Sequence, residues 1–200
     1  MPTTTQYPNG QSLVSSALTP AQVSVALQTL TCGMLGINPP DLSKVRVDWQ
    51  TQGQPFENVS ADICYLACTP QDVDYSRVRD RAFSGANGPV TETWTYTKGW
   101  RVAWCLYGPS AEDSARMIRS ALFMDYFNDT LAAINLYPIN DPPEVTRIPE
   151  NINAQWWERA DFYVVMYEQV TETIIDGQAT SVEVKLSDSG GIVADFIATV

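Results

Sequence analysis

Two hundred residues, 44% apolar and 18% charged, fit one globular domain with a sizeable core and are too apolar for general disorder. A net charge of −11 excludes a general nucleic-acid binder, which needs a Lys/Arg excess to neutralise phosphates. Histidine is absent, which removes the commonest general base and transition-metal ligand, and with them Ser-His and Cys-His hydrolases and HExxH metalloproteases.

No apolar run is long enough to cross a bilayer, and the start MPTTTQYPNGQS has neither the basic nor the apolar region of a signal peptide. The expectation is a soluble protein made in the cytoplasm, with no membrane partner. Cys32, Cys64, Cys68 and Cys105 form no CxxC pair and lie in apolar stretches, as buried free thiols do.

Residues 1–18 are polar and broken by Pro2, Pro8 and Gly10, the composition of an N-terminal arm that stays flexible or orders on a neighbouring subunit. Residues 19–200 are read as a single domain. Thr19-Pro20-Ala21-Gln22 is a helix start: a hydroxyl cap, a proline where no N–H is needed, and a glutamine placed to complete a capping box. Val23, Ala26, Leu27, Leu30 and Met34 follow at helical spacing, and Gly33 or Gly36 ends the run.

Val45, Val47 and Trp49 alternate with polar residues as a strand does. After a turn containing Gly53 and Pro55, Asp62–Thr69 forms a second strand with apolar residues on both faces. Cys64 and Cys68 would lie about 13 Å apart on it, too far to bridge. Arg77, Arg79 and Arg81 alternate with Val78 and Asp80, which allows a basic ridge; the simpler reading is a solvated segment whose arginines pair with Asp72, Asp74 and Asp80. Residues 84–89 (SGANGP) form a loop, the tip of a projecting hairpin.

The segment Thr91–Phe127 is the centre of the chain. Trp94, Tyr96, Trp100, Val102, Trp104 and Leu106 share one phase of a long strand. Gly108-Pro109 turns into a helix capped by Ser110, with Glu112 and Asp113 at its positive end and Ala111, Ala115, Ile118, Leu122 and Tyr126 along its apolar stripe. Met117, Phe123 and Met124 lie off that stripe, available to a wide core face or to a subunit contact. Trp94, Trp100 and Trp104 are read as core or interface packing in preference to sugar or base stacking.

A short apolar segment, Leu131–Leu136, precedes an extended proline-rich connection through Pro149. A second long strand follows Trp156-Trp157: Phe162, Val164 and Met166 face one way and Tyr163, Val165 and Tyr167 the other, so it is central in a sheet or gives one face to a partner. Asp176-Gly177 turns into Val182–Leu186, and a second turn leads to the final apolar segment 192–200. Strands cluster and do not alternate with helices. That pattern predicts an α+β fold, a mostly antiparallel sheet with two helices packed on one face and a projecting β-hairpin.

Trp100-Arg101 through Tyr107-Gly108-Pro109 with its helix, followed some fifty residues later by Trp157-Glu158-Arg159-Ala160-Asp161-Phe162, resembles the tail terminator (neck terminator) proteins of tailed bacteriophages. In these a strand ending in a Tyr-Gly corner enters a helix, and an Arg-x-Asp motif opens a later strand. The resemblance covers roughly residues 20–175 and leaves the arm and the tail beyond Gly177 outside. It implies a structural virion protein of the tail or neck: a ring, usually of six copies, that caps the tail tube, ends its growth and meets the head-side connector. Tube protein, connector and further copies of the chain would be its partners, and DNA would pass the lumen without specific binding, which suits the acidic charge.

A ring also needs apolar surface on two sides of the subunit. The surface expected to supply it comprises Trp100, Trp104, Phe123, Met124, Arg159, Asp161, Tyr163 and Tyr167. A strand of roughly fifteen residues, spanning on the order of 45 Å, could overhang its own sheet to reach a neighbour. Another neck protein or a tube subunit is the alternative. An enzyme built on Glu92, Asp113, Glu158 or Asp161 is a more distant one, because such carboxylates more often cap helices or pair with cations, Asp161 with Arg101 or Arg159. No cofactor or metal is called for.

Overall fold

The computed structural model describes residues 2–8, 10–47, 58–85, 90–139, 141–175, 181–188 and 191–199, the last two segments as backbone. In chain order the elements are β1 (Thr3–Gln6), β2 (Ser12–Ser15), α1 (Pro20–Met34), β3 (Val45–Val47), β4 (Ile63–Gln71), a 3₁₀ turn (Asp74–Arg77) and β5 (Asp80–Ser84). Then come β6 (Thr91–Tyr107), α2 (Ala111–Ala121), α3 (Asp125–Ala132), β7 (Leu136–Pro138), β8 (Thr146–Arg147), β9 (Glu150–Ile152) and β10 (Gln155–Trp157). The last three are β11 (Arg159–Ile175), β12 (Ser181–Asp188) and β13 (Gly191–Thr199).

The main sheet runs β1-β2-β11-β6-β4-β3, with β5 on β6 and β7 and β8 on β11. It is mostly antiparallel; β3 enters parallel to β4. By chain contacts the protein divides into two compact units: one of residues 1–16, 80–95 and 171–200, the other of 17–79 and 96–170.

In the smaller unit lies most of the segment 1–18, read from sequence as an arm that stays flexible or orders on a neighbouring subunit: β1 and β2 pair as antiparallel strands, and β2 continues onto Glu172–Ile175 of β11. Thr, Ser and Val satisfy their backbone groups by adding to a sheet edge, a gain that composition cannot reveal because the partner strand lies some 160 residues away. In the same unit β5 pairs with Thr91–Thr95, and β12 pairs with β13. The turn at Asp176-Gly177, the loop tip 86–89, Trp49, and the turn with Gly53 and Pro55 fall outside the described residues.

The larger unit carries the core. Helix α1 starts as its sequence dictates: the Gln22 N–H donates to Thr19 Oγ1, and the Thr19 N–H donates to Gln22 Oε1 at 2.8 Å. It ends where Gly36 takes φ +69°, a left-handed conformation that favours glycine. Val23, Leu27 and Met34 are buried with Val102, Trp104 and Leu106 of β6, Ala115 and Ile118 of α2, and Phe162, Val164 and Met166 of β11. The cysteines are free, with Cys32, Cys64 and Cys68 buried.

The Gly108-Pro109 corner is tight. Gly108 sits at φ +110°, and a Cβ there would lie 2.6 Å from the Ala61 carbonyl oxygen. Ser110, expected to cap α2, makes no side-chain cap; instead its own N–H donates to Asp62 Oδ1 at 2.9 Å. A carboxylate brought in from the start of β4 therefore lies at the positive helix end, which no local pattern could show.

The predicted helix to Phe127 is two helices, so the described residues hold three α-helices in place of two. Continuing one helix would have turned Tyr126 inward. The break at Met124, whose backbone is extended, leaves Tyr126 73% exposed and buries Leu131. The proline-rich connection is tied down by Arg119, whose Nε donates to the Pro143 carbonyl at 2.9 Å while its Nη2 pairs with Glu144 at 3.0 Å.

Candidate functional site

Alternation on three neighbouring strands of the larger unit sorts its side chains onto two faces. On β6, Trp100, Val102, Trp104 and Leu106 point into the core, leaving Arg101, Ala103, Cys105 and Tyr107 on the other face. The register places Tyr65 opposite Cys105 and Ala67 opposite Ala103. On β11, Arg159, Asp161 and Tyr163 occupy the corresponding phase.

Two of the residues expected at a subunit contact are thereby removed from it. Trp100 and Trp104 are fully enclosed within the chain. Trp104 stacks on Phe162 with centroids 4.9 Å apart, and its indole N–H donates to Thr31 Oγ1 at 3.0 Å. A side chain so covered offers nothing to a neighbour.

The Arg-Ala-Asp segment forms a cluster. Arg159 grips Asp161 with two arms, Nε to Oδ1 at 2.9 Å and Nη2 to Oδ2 at 2.6 Å, and its Nη1 donates to Glu150 Oε2 at 2.8 Å. Tyr107 Oη donates to the same Glu150 oxygen at 2.7 Å. The phenol hydrogen bond and then the guanidinium hold the Glu150 carboxyl below its ordinary range, while the Asp161 bond leads the causes that keep Arg159 charged. Burial, reinforced by Asp161, pushes the Cys105 thiol up to about 12, and burial pushes Cys68 up to about 11, so neither is a ready nucleophile.

The remaining residues scatter. Tyr163 is half-exposed beneath the Arg101 guanidinium, 4.1 Å from its ring centroid. Tyr167 meets Tyr75 edge-on. Phe123 and Met124 are exposed at the α2–α3 elbow, with Met117 and Tyr126 also exposed on the same two helices.

The arginine ridge does not form on one strand. Arg77 ends the 3₁₀ turn and pairs with Asp72, Arg79 covers the Tyr96 ring, and Arg81 lies on β5 near Glu92 and Trp94. Glu158 is engaged by Arg147. Among the described residues no group of three or more acidic or cysteine side chains converges as a metal site would require, and no helix is long and apolar enough to cross a membrane.

The sequence reading passed over Glu168. It is wholly buried on the inward phase of β11, accepting from the Leu18 N–H at 2.5 Å and from the Trp100 indole N–H at 2.6 Å, with the Lys98 ammonium 3.8 Å away. Alternation held the signal: in the inward series 162, 164, 166, 168, 170 it is the one charged residue.

The outer face also holds a depression of about 380 Å³. Its floor includes the opposed pair Ala67 and Ala103, and Arg101, Pro143, Ile148 and Tyr163 stand around it. Its lining combines apolar walls with paired charges, and the Cys105 thiol beside Asp161 is held protonated by burial.

The larger unit thus combines a packed core, ion pairs that tie elements together, and exposed apolar side chains on separate elements. Residues 21–188 match the model of the phage neck terminator protein family, and the chain belongs to that family. The match continues past the Gly177 limit of the sequence resemblance and takes in β12. It marks the chain as a structural component of the virion tail or neck. A search of curated proteins gave no match.

Proposed function

We propose that the protein forms a ring, six copies in the usual arrangement of such proteins, that caps the tail tube, ends its growth and presents a surface to the head-side connector. The observation that carries this reading is the family match over most of the chain. Ring closure needs two different surfaces on each subunit. The elbow residues Met117, Phe123, Met124 and Tyr126 and the hairpin residue Trp156 are exposed apolar side chains on separate elements, of the kind such contacts use. The net charge of −11 suits a lumen through which DNA passes without being held.

Electron microscopy of the purified protein, alone and with tail tubes assembled in vitro, tests the reading. Single closed rings, and tubes that stop growing with one ring at an end, are the expected result. Open-ended tubes of this chain alone would make it a tube subunit instead, and a protein that remains monomeric and leaves tube growth unchanged would overturn the proposal.

A further inference from the structure

Trp156 is 70% exposed on a hairpin whose two strands are both tied to the rest of the larger unit. The hairpin β9–β10 closes through Asn153 and Ala154, both in the left-handed region, and pairs Ile152 with Gln155. One strand is pinned through Glu150 by Tyr107 and Arg159. The other is pinned through Trp157, which is buried and edge-on to Tyr107 at 6.1 Å. Because neighbouring strand residues point to opposite sides, burying Trp157 drives Trp156 outward. An indole held out on a fixed support loses little conformational freedom on binding, a property of interface anchors.

The same subunit carries a depression of about 380 Å³ whose lining mixes apolar side chains with the paired charges of Arg159, Asp161 and Glu144. Two alanines opposite each other, Ala67 and Ala103, leave the outer face of the sheet locally low, with Tyr163, Ile148 and Pro143 as apolar walls. At its rim Arg101 is exposed, makes no ion pair among the described residues, and rests one side of its guanidinium on Tyr163. A guanidinium stacked on one ring can take a second aromatic ring on its free side, without the cost of burying an unpaired carboxylate. Trp156 is not among the residues lining this hole and does not fill its own.

We infer that Trp156 of one copy inserts into the Ala67–Ala103 hole of the next, against Arg101 and Tyr163, and that this head-to-tail contact joins subunits. Repeated in one direction from copy to copy, such a contact is heterologous and can close a ring, whereas a reciprocal exchange of tryptophans would stop at a two-fold dimer, so closed rings larger than a dimer are the expected product. The inference rests on the ring-forming reading and names the surfaces it would use.

The test uses the full chain in sedimentation velocity over a concentration series. Trp156→Ala removes the knob, and Ala103→Phe fills the hole. Each is expected to raise the concentration for half-assembly by about 30-fold or more, as loss of an interface anchor does. Mixing the two variants is expected to produce one-to-one heterodimers, because the intact tryptophan of the second fits the intact hole of the first and no further contact forms. Should Ala103→Phe melt early, Ala67→Leu fills the hole from the neighbouring strand.

Unchanged assembly of Trp156→Ala, with wild-type rings still forming, would overturn this contact and leave the ring reading intact. Normal assembly of that variant with loss of tail-tube capping would assign the tryptophan to another partner and equally overturn it. A wild-type chain that never self-associates would remove the ring reading itself.

Discussion

The two faces of the central strands are held by different physics, although they alternate residue by residue along the same backbone. The inner face of β6 is an apolar surface packed with residues of α1 and α2, and the Trp104 indole within it donates to Thr31. The outer face is tied by charged groups, with Arg159 bridging Asp161 and Glu150. The first is stabilised by area removed from water and by close packing. The second is partly solvated, so its ion pairs contribute less to stability and more to setting where side chains stand. A face that positions groups without sealing them is the one that remains open to another molecule.

That contrast can be broken most strongly from the inside. Trp104→Ala removes the stack on Phe162 and strands the Thr31 hydroxyl, and is expected to cost about 3–5 kcal/mol in chemical denaturation. Glu168→Gln is the next largest. Two N–H donors, from Leu18 and Trp100, now meet separate carboxylate oxygens, and glutamine offers one oxygen in place of two. A loss of about 1–3 kcal/mol is expected, with faster amide exchange at Leu18.

On the outer face, Glu150→Gln should show a smaller difference that depends on pH. The folded carboxyl is depressed by Tyr107 and Arg159, so its contribution is present above the ordinary glutamate value of about 4.3 and is lost as pH falls through the folded value. Thermal melts should therefore separate wild type from variant at pH 7 and converge in acid. A gap that widened in acid would contradict the network.

The smallest effect is expected at the helix start. Ser110→Ala should change the melting temperature little, within about 0.5 kcal/mol, because the hydroxyl makes no cap. Asp62→Ala, which removes the acceptor for the Ser110 N–H, should cost more, about 1 kcal/mol.

Local signals carried much of the larger unit. The Thr19-Pro20-Gln22 start, the alternation along β6 and β11 and the Gly108 corner were legible because capping, pleat and left-handed backbone are decided within a few residues. An ion pair of Asp161 with Arg101 or Arg159 was also legible, and the fold selects Arg159, two residues away on the same side of the strand. The helix break at Met124 was not, because Tyr126 and Leu131 compete for burial and only the finished core selects between them. The family, too, was legible in the Tyr-Gly corner and the Arg-Ala-Asp strand, and the match over residues 21–188 bears it out.

By itself, then, the sequence determined which residues alternate, where helices begin, that no histidine chemistry is available, and to which family the chain belongs. Tertiary structure alone decided that Trp100 and Trp104 are sealed inside, that a buried glutamate joins Leu18 to β6 and β11, that Ser12–Ser15 adds to the edge of β11, and that two alanines on neighbouring strands leave a hole. Period and capping are properties of adjacent residues. Burial, long-range hydrogen bonds and holes are properties of pairs brought together from distant parts of the chain.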